Sequence, residues 1–450
     1  MMTAQHLERP RVRALLLTYV FPPTGGVGTE RVRKLAKYLP DHDIDPVVLT
    51  ALNPSVPLID RSAERDIRPG LRILRARTLE PSYSTKRAVW ASTAETVASA
   101  DRTLKGRART VAALVARKTM IPDPQVLWQP DVHRVLAREL YRRTPNTDVV
   151  FITAPPFSSF LAAPIARLRG RTAVVLDYRD EWQTTRTSYE MTSGTVAAVI
   201  GDLLEANLLR CAHAITTATD AFRDNLLERF PFIDPSRVVA IPNGYDPDDF
   251  PKDLPDPPLE RFVMTYAGTI YKLTSPRGFL QAVKILHERE PELARLLEVR
   301  FVGRIVETEA DAFDGMKQFG VCCTGFVEKD RVAAELNSSH VVLCFLDHVP
   351  GTERIHQAKV FELMYLGRPV LAMAPDGALK ELIRRHKLGA VVPPRDAPRI
   401  AEHLANMIRA WRVGQFPRRS EAVDIERYDR RSQAAAFADI FRAAIARART

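Results

Sequence analysis

The chain has four cysteines in 450 residues, Cys211, Cys322, Cys323 and Cys344, and none belongs to a CxxC pair or a His/Cys cluster with metal spacing. A disulfide framework is therefore not expected. Adjacent Cys322 and Cys323 are poorly placed to bridge each other, and the four read as reduced core thiols of a cytoplasmic protein. A long uncharged run is missing as well. The longest, Val149 to Ala166, is interrupted by Pro155, Pro156 and Pro164, so strand, loop and helix are expected there rather than a membrane span. Met1 to Arg13 is polar, and Ala14 to Val20 is too short for the core of a signal peptide. Aromatic residues make up 8% of the chain with no run inside a basic stripe, which argues against a nucleic-acid module.

What is present is the composition of a globular protein, 46% hydrophobic and 26% charged, in a chain long enough for two or three domains. The net charge of +11 points to an anionic partner or an arginine-rich surface. Ser84 to Lys118 holds eight Lys and Arg against Glu95 and Asp101, with apolar positions between them. Such a segment suits an anionic membrane surface, and equally an ordinary docked helical excursion.

The apolar pattern alternates between strand-like and helix-like runs. Ala14–Tyr19, Pro46–Thr50, Asp148–Thr153, Thr172–Leu176 and Ala214–Thr217 read as buried strands, and Glu30–Leu39, Phe157–Leu168, Val196–Cys211 and Asp220–Arg229 as helices. The proline- and acid-rich stretch 251–260 reads as a linker. Beyond it the alternation restarts and ends in a helical stretch, Arg430 to Ala446. The expected fold is α/β, with two Rossmann-like doubly wound domains facing a cleft: 1–250 and 261–424, with 425–450 packing back on the first.

Four segments are candidates to line that cleft. Phe21 to Gly28 is a glycine loop before the first helix, suited to phosphate or a developing anion, though it is neither GxGxxG nor a P-loop. Asp177-Tyr-Arg-Asp180-Glu-Trp182 follows a strand. Arg179 there either serves the cleft or bridges Asp177 or Asp180 structurally. Tyr266 to Arg277 carries Thr269, Lys272 and Arg277, the last two able to grip a diphosphate. Gly351 to Glu362 carries Arg354, His356, Lys359 and Glu362. Lys359 and Glu362 share one helix face, followed by a glycine stop at Gly367 and a strand, Pro369 to Ala374. A solvated Lys–Glu pair is the plainer account of that spacing, and a packing histidine the plainer account of His356.

FPPTGGVGTERVRKLAKYL, DYRDEW, IPNGYD and KVFELMYLGRPV, in that order, resemble the family-4-like retaining glycosyltransferases of the GT-B fold, closest to the bacterial cell-surface polysaccharide branch. The likeness runs from about Arg13 to about Ala444. It implies a hexosyl transfer from a nucleoside-diphosphate sugar to a glycan, lipid-linked or small-molecule acceptor, without a metal or other cofactor. Glu362 would hold the ribose hydroxyls. Lys272 or Arg277, with Lys359, would hold the diphosphate. Gly325, Phe326 and Val327 would offer backbone to the base, and the Gly25–Gly26 loop would close over the donor. Asp180 and Arg179 fall near where relatives place an acceptor motif containing histidine. Gly25, Gly26, Arg179 and Asp180 are thus the catalytic candidates. Thr269, Lys272, Arg277, Gly325, Phe326, Val327, Arg354, Lys359 and Glu362 are the donor-binding candidates.

Two departures from the pattern stand out. Many relatives carry an acid eight residues before the Glu362 position, where this chain has Arg354, with Glu353 one place off. The other is Arg179 and Asp180 near the place of that histidine motif. Asp246-Pro-Asp248, in an interdomain turn rather than in a place to hold Mg²⁺, fits the metal-independent transfer that the resemblance implies. The competing readings are a nucleotide-sugar epimerase on the same scaffold and a non-catalytic basic protein bound to membrane or nucleic acid. The first needs well-placed acids and bases at the sugar, and the second a stacking stripe. The expected location is cytoplasmic, with the inner membrane face as a candidate surface.

Overall fold

The structure is a computed structural model that describes residues 11–56, 59–81, 83, 121–142, 146–184 and 195–450. The basic segment Ser84 to Lys118 lies outside the described residues.

Two all-parallel sheets carry the fold. The first contains β1 (Val12–Leu17), β2 (Ile44–Ala51), β3 (Arg72–Ala76), β4 (Val149–Ala154), β5 (Ala173–Tyr178), β6 (Ala214–Thr217) and β7 (Val238–Ala240), in the order β3-β2-β1-β4-β5-β6-β7. The second contains β8 (Phe262–Ala267), β9 (Leu297–Val302), β10 (Val321–Gly325), β11 (Val341–Phe345), β12 (Val370–Met373) and β13 (Gly389–Val392), in the order β10-β9-β8-β11-β12-β13. In both, the chain starts at an inner strand, winds to one edge, and returns to the other. That reversal opens a crevice at the strands' carboxyl ends.

The central strands are mostly apolar because helices cover both faces. In the first sheet, α1 (Val27–Tyr38) lies on one face, and α2 (Gln129–Leu140), α3 (Thr195–Arg210) and α4 (Asp220–Arg229) belong to the other. In the second, the helices are α5 (Arg277–Arg289), α6 (Lys329–Asn337), α7 (Lys359–Leu366), α8 (Ala378–Arg385) and α9 (Ala397–Arg412). The last helix, α10 (Arg430–Arg449), crosses back and buries Phe437 and Phe441 against Phe151 of β4, with ring centroids 5.5 and 5.6 Å away.

Several expectations are sharpened. Pro46 lies inside β2, not at its start. It pairs with Ala14 of β1, while pairing to β3 begins only at Val47, so its missing N–H falls on the unpaired side. Phe157 to Leu168 splits into a 3₁₀ turn, Phe157–Ala162, and a short α-helix, Ala163–Leu168, with Pro164 in the helix's first turn. β3 and α2 were missed. β3 is a charge-interrupted edge strand, and α2 opens on a proline. The cysteine expectation needs correcting. Cys344 is buried in β11, but Cys322 and Cys323 are exposed on β10, the sheet's edge.

The two units are joined by two neighbouring passages of chain. At the first, Gly244 lies so close to the second that a Cβ there would sit 2.1 Å from the Tyr428 carbonyl oxygen. The Tyr245 N–H donates to Tyr428 O, and the Arg430 N–H donates to Tyr245 O. Beside them Lys34 of α1, 1% exposed at its side chain, donates to Asp66, Asp246 and Asp249 at 2.5, 2.6 and 2.5 Å. Lys37 and the Tyr38 hydroxyl also reach Asp246. Burial would raise the Asp246 carboxyl, but Lys34 and Lys37 outweigh it and hold it below the ordinary carboxylate range.

Lys34→Met removes the ammonium on which three carboxylates converge and leaves Lys37 and Arg33, at its edge, to balance them. Removing one partner of such a buried cluster costs about 3–5 kcal/mol. Denaturant unfolding should show that loss, and an unchanged midpoint would deny the cluster its structural role.

Candidate active site

At the crevice of the second sheet, three strand ends meet through glycine. Gly268 follows β8, Gly303 follows β9, and Gly325 ends β10. Gly303 has φ 132°, and a Cβ there would lie 2.2 Å from the Gly268 carbonyl oxygen. Its N–H donates to Gly325 O at 2.9 Å. The result is a side-chain-free floor on which a flat ligand can approach backbone. Phe326, just past it, is 60% exposed, while Val327 packs partly into the core of the second unit. Gly303 was not singled out from sequence. A glycine directly after an apolar run was the available signal.

The helix α7 begins with Lys359 and ends at Gly367, whose φ of 69° is the left-handed cap expected there. Lys359 and Glu362 are half-buried. Lys359 lies beside the buried Cys344 thiol of β11. Burial pushes that thiol up to about 12, with Lys359 opposing. Glu362 lies within electrostatic reach of Arg430, a buried residue that sequence reasoning missed because it opens the crossing helix far along the chain. Burial pulls the Arg430 guanidinium down to about 10, Arg31 adds to this, and Glu30, Glu362 and Asp249 oppose it. His356 is half-buried, its ring lies 6.0 Å from that of Phe361, and burial draws its pKa down to about 4, as suits a neutral packing histidine.

The cations of the β8 loop differ in use. Lys272 is exposed at the start of a 3₁₀ turn, and Thr269 holds that turn by its carbonyl, which accepts from Tyr266 and Thr274 hydroxyls at 3.1 and 2.8 Å. Arg277 is matched by acids: Nη2 to Asp311 at 2.6 Å and Nε to Glu309 at 3.2 Å. Its charge is already neutralised within the second unit.

The first unit contributes the facing wall. Gly26 caps α1 with φ 96°, and no atom lies within 4 Å of where its Cβ would be. Gly25 beside it is half-buried. The α1 N-terminus is therefore open, with backbone N–H groups available to an anion. Arg179 holds this loop in place. Its guanidinium donates to the carbonyls of Gly28 and Pro155, and Nε donates to Ala154 O at 3.3 Å. It does not bridge the neighbouring acids. Asp177 is buried instead against Arg31 at 3.4 Å, with Thr153 and Thr216 hydroxyls donating at 2.6 and 2.7 Å.

Asp180 is the accessible acid. Water reaches its side chain, yet protein surrounds the carboxyl closely enough that desolvation raises its pKa. Arg179 and Arg31 oppose the rise, while Asp177 and Glu181 add to it. A perturbed, reachable carboxyl at a strand's carboxyl end has the chemistry of a functional group. By contrast, Asp66, Asp246 and Asp249, whose oxygens lie close enough to hold an ion, converge on Lys34 Nζ.

Side-chain contacts between described residues span the cleft. Arg354 binds Glu181 through two parallel bonds of 2.8 Å, and Arg304 Nη1 donates to the Tyr83 hydroxyl at 3.3 Å.

Comparison with known proteins gives this arrangement its class. Residues 25–244 match a family model described as a glycosyl transferase 4-like domain, and residues 261–410 one described as glycosyl transferases group 1. Between them they cover most of the chain, which belongs to the family-4-like glycosyltransferases of the GT-B fold. It is an enzyme that transfers a sugar.

Sucrose-phosphate synthase from Thermosynechococcus elongatus is similar, with TM-score 0.62 and 14% identity over 96% of this chain and 98% of that one. So is a trehalose-6-phosphate protein of E. coli bound with UDP-2-fluoro glucose, with TM-score 0.60 and 13% identity over 95% and 99%. HepE of Anabaena, in complex with UDP and glucose, gives TM-score 0.55 and 14% identity over 95% and 99%. No curated relative matches the sequence.

A carboxyl whose pKa is raised on folding binds its proton more tightly in the native state. Stability therefore falls as pH rises from its unfolded pKa, about 4, through its folded one, and the penalty persists above. Asp180→Asn should raise the unfolding midpoint at pH 7 while slowing sugar transfer. The gain should vanish below about pH 3, where both forms are neutral. A lower midpoint at pH 7 would contradict the account.

Proposed function

We propose that the enzyme moves a hexose from a nucleoside-diphosphate sugar to an acceptor hydroxyl with retention of anomeric configuration, in assembly of a surface polysaccharide or glycolipid. The observation that carries this is the side-chain-free floor of Gly268, Gly303 and Gly325 beside the Lys359–Glu362 helix, across from the open α1 N-terminus. Glu362 accepts the ribose hydroxyls. Lys272 and Lys359 meet the diphosphate, and Gly325 to Val327 border the base. The Gly25–Gly26 loop lies over the transferred sugar. The unit built on the first sheet takes the acceptor, with Asp180 near its hydroxyl. UDP complexes of similar proteins support a uridine nucleotide as the donor's carrier.

The leaving diphosphate gathers charge as the glycosidic bond breaks. Lys272, Lys359 and the α1 N-terminus supply fixed positive ends for it. In a retaining transfer the acceptor oxygen attacks from the face the phosphate leaves. Its proton can then pass to the departing phosphate oxygen, so Asp180 need only orient the hydroxyl. Among the described residues no helix is long and apolar enough to cross a membrane. A lipid-linked acceptor would be met at a membrane surface.

Incubation with a panel of nucleoside-diphosphate sugars, read as released nucleoside diphosphate, tests the reaction. Wild-type protein should release UDP from at least one uridine donor. Glu362→Ala should weaken UDP at least about tenfold by calorimetry, the loss of one hydrogen-bonded carboxylate, with an unchanged circular dichroism spectrum. Absence of both turnover and nucleotide binding in the wild type would overturn the proposal.

A further inference from the structure

Arg354 stands where the resemblance leads one to look for an acid on the donor sugar. Its surroundings assign it different work. Nε and Nη2 form a two-pronged pair with Glu181 Oε1 and Oε2, both at 2.8 Å, and Nη1 donates to Glu353. The Glu181 carboxylate also accepts Asn225 Nδ2 at 2.8 Å and Thr184 Oγ1 at 2.7 Å. Its two oxygens thus carry four hydrogen bonds, all that a carboxylate takes. Glu181 is buried and Arg354 mostly so. A pair this enclosed and this fully satisfied fixes an orientation as well as a distance.

The backbone around Arg354 is fitted to the same contact. Thr219 Oγ1 donates to Arg354 O at 2.9 Å. Gly351, with φ 96°, approaches the first unit so closely that a Cβ would lie 2.3 Å from Thr184 Oγ1. On the other side, a Cβ on Gly377 at the start of α8 would lie 2.1 Å from Glu353 O. Residues 351–354 are therefore held between α8 and the first unit, with glycine at both close approaches.

Resting on the glycosyltransferase reading, we propose that Arg354 is a positioning residue. It ties the loop that leads into Lys359 and Glu362 to the loop that carries Asp180, and so sets the spacing between donor and acceptor groups rather than binding the donor. Glu181 is the immediate neighbour of Asp180, and Lys359 lies five positions beyond Arg354. A shift in the pair is thus passed to both functional groups. Breaking it also leaves a buried carboxylate without its cation, which opposes closure of the cleft.

The test uses Arg354→Ala and the apolar pair Arg354→Met with Glu181→Leu in the full chain, with UDP and UDP-glucose as probes. Arg354→Ala should keep UDP affinity within about threefold and lower kcat about a hundredfold, the scale of a 1 Å misplacement. Amide exchange should quicken in residues 177–184 and 347–358 together. The apolar pair should recover the unfolding midpoint, since a packed hydrophobic substitute is often neutral, but not kcat. Intact kcat with unchanged exchange, and UDP-glucose weakened relative to UDP, would show Arg354 to be a donor ligand and overturn the proposal. If the wild type turned over no donor, the function would fail by itself. Unchanged exchange in Arg354→Ala would then still refute the tie, and coupled quickening would sustain it.

Discussion

A buried ammonium governs the geometry of this enzyme. Lys34 sits among Asp66, Asp246 and Asp249, each within hydrogen-bond reach. Taking that many charges out of water is costly unless they neutralise and bond one another. The cluster does both, and it fixes α1 against the passage of chain that leaves the first unit. The far end of α1 is the open N-terminus at Gly26. The position of the glycine loop is thus set about two helical turns away, by an ion cluster that faces no substrate.

The second sheet solves a different problem with less material. A nucleotide needs a flat approach to backbone, and three adjacent strand ends provide it by having no side chains. The left-handed or otherwise unusual φ at Gly268, Gly303 and Gly325 would strain other residues. At Gly303 the approach of the Gly268 carbonyl also leaves no volume for a methyl group. Charge is then added at the rim, by Lys359 and Lys272, where water still reaches it.

Much of the fold could be read from the chain, because buried parallel strands are apolar runs and the helices between them keep their period. What escaped was where side chains are neutralised. β3 was lost because Arg72 and Arg75 interrupt its short apolar run, and α2 because Pro130 sits in its first turn. The helix opened by Lys359 and stopped at Gly367, and the glycine loop before α1, could both be read from the chain. Arg277 and Arg354 lay in the right loops, but a sequence does not show that Glu309, Asp311 and Glu181 fold onto them. Arg179, expected either to serve the cleft or to bridge Asp177 or Asp180, binds three carbonyls. Arg430, within electrostatic reach of Glu362 from 68 positions further on, belongs to no local pattern at all.

The paired chain passages at Tyr245 and Asp429 have a mechanical consequence. They run side by side as a parallel bridge, packed through Gly244 against Tyr428. Once the contacts of Arg354 and Arg304 across the cleft are released, two bodies joined along this short seam keep one easy rotation, about the seam, and lose the others. Sliding or twisting would have to tear backbone hydrogen bonds on both passages at once. The bodies can therefore part only as the covers of a book part, widest at the fore-edge and hardly at all along the spine.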